Sequence, residues 1–108
     1  MNEQSDEQTI AQWLSELDYP HSFSVSKGPE WGGKNCGDHL EFVISEGMTK
    51  DQKRYLVIHE FTHWKISESG HNTRFYTFLL PLARSRGIPY SVVREMEDGQ
   101  WWDDDLCY

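Results

Sequence analysis

The feature that most constrains this chain is a pair of histidines four residues apart, in the order His59-Glu60-Phe61-Thr62-His63. Apolar and aromatic residues at positions 55–58 lead into it. Residues four apart share one face of a helix, so both imidazoles can face one point, with Glu60 one position further round. Polar groups on a buried helix need partners. The pattern H-E-x-x-H therefore predicts a metal site with two nitrogen ligands, a general base and a third ligand from elsewhere.

The third ligand must come from outside the motif. Gly70 stands where a helix C-terminus would turn the chain back, and His71 follows it directly. We therefore favour His71 as the third ligand, with Glu68 and His39 as alternatives. Three imidazoles with one position left for water suit Zn²⁺, which is the expected ion.

Two capping boxes predict where helices begin. Ser5 and Gln8 open a short amphipathic helix, and Thr49 and Gln52 open the helix that carries the motif, expected over positions 50–67.

The segment after His71 predicts a further helix. Asn72 can cap it, and Pro81 falls inside its apolar stripe, where a proline should kink or split the helix. Positions 90–96 suit a short strand and a helix equally well.

Alternating apolar and polar side chains predict two strands, one around Phe23 and Val25 and one over positions 39–45. The glycine-rich stretch 31–37 between them lacks the spacing of a phosphate loop, so we expect a hairpin connection there. If the second strand runs beside the motif helix, its free edge could accept an extended peptide. The alternative is an ordinary sheet strand.

Length and charge bound the remaining possibilities. With 108 residues the chain is expected to form one domain over 1–108, frayed at 1–5. The net charge of −8 argues against direct nucleic-acid binding and against binding to an anionic membrane.

Residues 1–9 are too polar for a signal peptide, and Cys36 and Cys107 predict neither a disulfide framework nor a zinc knuckle. A reducing, cytoplasmic location is therefore expected. The oligomeric state does not follow from the sequence.

The acidic, aromatic segment 99–108 allows two interpretations. It is either a solvated tail whose tryptophans pack on the domain, which is the usual fate of a charge run, or a tail that covers the cleft and brings Cys107 or an aspartate to the metal.

Positions 57–64 and 71–76 resemble the SprT-like and WLM (YgjP-like) zinc metallopeptidases, which have an apolar run, H-E-L-x-H, a short loop, a histidine and then an aromatic residue. The resemblance covers about residues 31–80. It implies a minimal zincin-like domain of the α+β class, in which a small, mostly antiparallel sheet packs on the motif helix and a following helix. By position it implies His59, His63 and His71 as zinc ligands and Glu60 as the catalytic base.

The chain departs from these families in three respects. His71 follows His59 by twelve residues, a longer gap than is typical of WLM proteins, and Phe61 replaces the family leucine. The basic and zinc-ribbon extensions through which some SprT-like proteases meet DNA are not found in this sequence either.

The function expected from these residues is zinc-dependent hydrolysis of peptide bonds, with a metal-activated water, Glu60 as general base and a protein or peptide as substrate. Tyr76, Arg74, Tyr90 and His39 are the candidates for stabilising the oxyanion, and the sequence does not choose among them. The alternative function is a non-catalytic or self-inhibited zinc-binding module that acts through protein–protein interaction.

Overall fold

The computed structural model describes residues 5–68 and 70–98, with the backbone alone at position 98. The elements in chain order are α1 (Asp6–Glu16), β1 (Ser22–Lys27), β2 (Gly32–Asn35), β3 (His39–Ile44), α2 (Lys50–Ile66), α3 (Thr73–Ser85) and α4 (Tyr90–Asp98). The predicted α+β class is confirmed. The expectations for residues 1–4 and for the tail 99–108 fall outside the described residues.

Both predicted capping boxes are present. The hydroxyl oxygen of Ser5 accepts a hydrogen bond from the backbone N–H of Gln8, and that of Thr49 accepts one from Gln52. Each glutamine side chain in turn accepts from the backbone N–H of its capping residue. Ser5, expected to be frayed, is thus the N-cap of α1. Such caps stabilise a helix by about 1 kcal/mol each, which fixes the starts of α1 and α2.

The sheet has the order β1-β3-β2 and is mixed. β1 runs parallel to β3, and β2 runs antiparallel to it with Gly33 opposite Phe42. The glycine-rich stretch expected to be a connection therefore contains a strand, because pairing with β3 outweighs the low strand propensity of glycine. Since β3 is paired on both sides, it has no free edge, and the strand-addition hypothesis for this strand is wrong.

Helix α2 lies at the centre and contacts α1, β2, β3, α3 and α4. β3 alternates in burial, with its buried side chains at Leu40, Phe42 and Ile44. Because neighbouring elements cover α2 on several sides, polar residues are buried along with its apolar ones: His59, Glu60, Thr62 and His63. The motif is thus placed in the core rather than on the surface.

Helices α3 and α4 answer two questions that the sequence left open: the effect of Pro81 and the structure of positions 90–96. The side chain of Asn72 accepts a hydrogen bond from the N–H of Phe75, as expected of a cap. α3 then runs through Pro81 as one helix, without the split that was one of two expectations. Residues 90–98 form a helix, α4.

Cys36, which follows β2, is disulfide-bonded. The prediction that the two cysteines make no disulfide framework stays a prediction. The other cysteine of the sequence, Cys107, lies outside the described residues.

Candidate metal centre

Three histidines meet between α2 and the segment that precedes α3. Nε2 of His63 lies 3.1 Å from Nε2 of His59 and 3.2 Å from Nε2 of His71. His59 is fully buried, His63 nearly so, and the side chain of His71 is 18% exposed. One nitrogen from each ring lies within 4.8 Å of the others, so the group could hold a metal ion.

The chain reaches His71 by a turn at Ser67. α2 ends at Ile66, and Ser67 adopts a left-handed backbone with φ of 56°. Its N–H and that of Glu68 donate back to carbonyls in the last turn of α2. Gly70, the expected turning point, is not among the residues with positive φ. The chain reverses here as expected, but Ser67 rather than Gly70 makes the turn.

The two alternative third ligands lie outside the cluster. Nδ1 of His39 is 2.7 Å from the hydroxyl oxygen of Ser22, on the parallel strand pair. The Glu68 carboxylate pairs with Arg74 at 3.5 Å. The structure thus brings His71, rather than Glu68 or His39, to the motif histidines.

The Nδ1 atom of each ring faces an oxygen that can only accept a hydrogen bond. Nδ1 of His63 is 2.8 Å from the backbone carbonyl oxygen of Glu68. Nδ1 of His59 is 3.0 Å from Oε2 of Glu97, and Nδ1 of His71 is 3.4 Å from Oε1 of the same carboxylate.

These contacts assign the ring protons to Nδ1. The Nε2 atoms that meet at the centre then carry lone pairs, which repel one another unless a cation lies between them. The donor set therefore fits a metal ion, the group for which converging neutral imidazoles are suited.

Protonation agrees with this assignment at His59 and Glu97. Burial lowers the pKa of His59 to about 3, although Glu97 acts in the opposite direction, so this ring is neutral near pH 7. Burial alone would raise the pKa of Glu97, but the contact with His59 and the hydrogen bonds from Tyr55 and Tyr76 outweigh it and lower the pKa to about 2. Glu97 is ionised and can only accept hydrogen bonds.

Glu97 is the site residue that sequence reasoning missed. It belongs to no motif, and its partners come from α2, from α3 and from the segment between these two helices. The burial of Val93 and Met96 on one face of α4 marks the side of the helix that packs inward, but that pattern carries no chemical signal.

Glu60 lies on the side of the cluster that faces β2. Its side chain is 4% exposed, and Oε2 is 4.0 Å from Nε2 of His59. A Cβ atom placed on Gly33 would lie 2.6 Å from Cγ and 2.9 Å from Oε2 of Glu60. Any side chain at position 33 would thus displace Glu60. Glu60 has room because Gly33 has no side chain.

The oxyanion candidates occupy different surroundings. Tyr76 adjoins the cluster, because its hydroxyl donates to Glu97 at 2.7 Å. Arg74 pairs with Glu68, His39 contacts Ser22, and Tyr90 is exposed.

A groove of about 540 Å³ opens beside the cluster, lined by His71, Asn72, Thr73, Tyr76, Thr77 and Leu80. A larger cavity of about 880 Å³ between α3 and α4 contains no histidine of the cluster. The smaller groove is therefore the one adjacent to the candidate metal centre.

Comparison with known proteins identifies the fold. No protein-family model matches the chain, and no curated protein matches its sequence. A solved structure of the metallopeptidase zymogen jannalysin from Methanocaldococcus jannaschii is similar over 90% of this chain and 94% of its own, with a TM-score of 0.60 and 13% identity. The fold of this chain is therefore similar to that of this metallopeptidase zymogen.

At this level of identity the likeness concerns the fold alone, so membership of the SprT-like or WLM families stays a prediction. In the described part of the chain, no helix is both long and apolar enough to cross a membrane.

Proposed function

We propose that this chain is a zinc-dependent metallopeptidase, with His59, His63 and His71 as the ligands and Glu60 as the general base. The observation that carries the proposal is that the Nε2 atoms of the three histidines meet, while Nδ1 of each ring faces a hydrogen-bond acceptor. Tetrahedral zinc with nitrogen ligands at 2.0–2.1 Å needs ligand separations of about 3.3 Å. The separations of 3.1 and 3.2 Å to His63 are close to that value.

When bound, zinc supplies a Lewis acid that polarises a scissile carbonyl and lowers the pKa of a water molecule. The residues of the chain do the rest. Glu60 accepts the proton that the attacking water loses and passes it to the nitrogen of the leaving amine. The packing around α2 keeps Glu60 and the imidazoles away from bulk water, which strengthens their interactions with developing charge.

The peptidase proposal also rests on the fold. The similar structure is described as a metallopeptidase zymogen, and it covers nearly all of this chain. A protein or peptide substrate follows from that class of enzyme. Cytoplasmic location and the absence of nucleic-acid partners stay predictions from the sequence.

Metal analysis with a matched active-site variant tests the proposal. Protein purified without a histidine tag should contain about one zinc per chain in both the wild type and Glu60→Gln, since Glu60 is not a ligand. Cleavage of an unstructured protein such as casein should be lost in Glu60→Gln alone. Absence of zinc under non-chelating conditions, or equal cleavage by both proteins, would overturn the proposal.

A self-inhibited form is the second candidate, because the similar structure is described as a zymogen. Under this proposal the acidic, aromatic residues 99–108 suppress activity. The full chain, loaded with zinc, should then cleave casein poorly, and a chain ending at residue 98 should cleave it faster. A zinc-loaded protein that cuts nothing in either form would contradict both candidates and favour a non-catalytic module.

A further inference from the structure

Helix α4 contributes one carboxylate to the candidate metal centre, and each of its oxygens faces one tyrosine and one histidine. Oε2 of Glu97 accepts from the hydroxyl of Tyr55 at 2.6 Å and lies 3.0 Å from Nδ1 of His59. Oε1 accepts from the hydroxyl of Tyr76 at 2.7 Å and lies 3.4 Å from Nδ1 of His71.

These four partners come from two directions. Tyr55 and His59 are four residues apart on α2, so they share one face of that helix. His71 lies just before α3, and Tyr76 lies in the first turn of that helix. A single side chain on α4 therefore joins the helix that carries two of the histidines to the segment that carries the third.

The surroundings of Glu97 suit a fixed carboxylate. Its side chain is 11% exposed. Burial of a charge costs free energy unless hydrogen bonds compensate for it, and here both oxygens receive a tyrosine hydroxyl. With the tyrosines holding the carboxylate, rotation of either the His59 or the His71 ring would break its contact with Glu97.

We propose that Glu97 is a positioning residue that holds His59 and His71 with Nδ1 protonated and Nε2 directed at the metal. The inference rests on the proposed metal centre and deepens it by naming what orients two of its three ligands. A carboxylate behind an imidazole fixes the ring and makes its far nitrogen a stronger donor to the metal. His63 has a backbone carbonyl, that of Glu68, in the equivalent place.

This role predicts an effect on metal binding that can be measured without any substrate. In Glu97→Gln the side chain keeps its shape but loses its charge and half of its accepting capacity. Loss of such a partner weakens metal binding about 10–100-fold, so the dissociation constant for Zn²⁺, measured in competition with a chromophoric chelator, should rise by that factor.

Glu95→Gln is the matched control. It makes the same change two residues away on the same helix, where the exposed Glu95 accepts a hydrogen bond from Gln52. Its zinc dissociation constant should stay at the wild-type value. Tyr76→Phe provides a second variant that keeps the charge of Glu97 and removes one hydrogen bond, with an expected weakening of about fivefold.

The visible spectrum of the Co²⁺-substituted protein and thermal unfolding of the metal-free protein complete the test. Retained tetrahedral Co²⁺ bands together with weaker binding support the positioning role. A changed coordination number in Glu97→Gln would make Glu97 a ligand and overturn it. Lower stability of the metal-free protein with unchanged metal affinity would make the role merely structural and overturn it too.

These outcomes are distinct from failure of the proposed function. A wild-type protein that binds zinc but cleaves nothing contradicts the peptidase and leaves the binding comparison between Glu97→Gln and Glu95→Gln intact. A wild-type protein that binds no zinc overturns the metal centre and, with it, the role of Glu97.

Discussion

Two glutamates approach the same imidazole at its two nitrogens, and their surroundings differ. Glu97 is 3.0 Å from Nδ1 of His59 and accepts hydrogen bonds from two tyrosine hydroxyls. Glu60 is 4.0 Å from Nε2, on the side where the metal would lie, and packs against the bare backbone of Gly33. The two tyrosine hydroxyls hold the first carboxylate, and the space beside Gly33 limits where the second can lie. In the proposed enzyme one residue type would thus serve two purposes: Glu97 would position a metal ligand, and Glu60 would accept a proton.

The largest expected effect, and the strongest test of the difference between the two glutamates, comes from removing the charge of Glu60. Glu60→Gln should lower kcat by about 10²–10⁴-fold, because the amide cannot accept the proton from water. Its zinc dissociation constant should stay close to the wild-type value, in contrast to that of Glu97→Gln. Steady-state cleavage of a quenched peptide and chelator competition measure the two quantities on the same preparations. A variant that loses both together would remove the distinction between the two glutamates.

A smaller effect is expected from filling the space behind Glu60. Gly33→Ala places a methyl group within 2.6–2.9 Å of the Glu60 side chain, which must shift to avoid it. Misplacement of a catalytic group by about 1 Å can cost about 100-fold in rate, so kcat should fall by that order while zinc remains bound.

The neighbouring glycine is the control for this prediction. A Cβ atom on Gly32 meets nothing within 4 Å, so Gly32→Ala should retain wild-type activity. Equal rates for Gly33→Ala and Gly32→Ala would show that space does not fix Glu60.

The smallest effect is expected from removing a hydrogen bond that Glu97 accepts from Tyr55. Tyr55 is fully buried, and burial together with the charge of Glu97 raises the pKa of its hydroxyl, which therefore stays protonated as a donor. Tyr55→Phe removes one hydrogen bond to a charged group and should lower the unfolding free energy of the metal-free protein by about 2 kcal/mol. Urea denaturation measures it, with the exposed Tyr90→Phe as an unaffected control. A loss no larger than that of the control would mean that Glu97 is held without Tyr55.

The sequence predicts those parts of the site whose residues lie close together along the chain. His59, Glu60 and His63 lie within five consecutive positions, and helical geometry alone places the histidines on one face. The capping boxes at Ser5 and Thr49 act through neighbours three residues away, so both helix starts were predictable. His71 follows from the chain reversal, even though Ser67 rather than Gly70 makes the turn.

The part that could not be predicted depends on contacts between distant segments. Glu97 meets tyrosines and histidines of α2, of α3 and of the segment between them, and none of those distances follows from spacing along the chain. The glycine-rich stretch became β2 because it pairs with β3, against its own propensity. Gly33 has a role only because that pairing brings it against Glu60. Tertiary pairing outweighed local preference in each case.

The link from α4 to both ligand-bearing segments has a consequence for quality control in the cell. The proposed ligands lie within residues 59–71, but Glu97 reaches them only after α4 has docked. Anything that binds the native state more tightly than partly folded states stabilises the native state by mass action. Zinc would then be captured at full strength only by completely folded molecules, and the metal content of a preparation would report its fraction of correctly assembled chains.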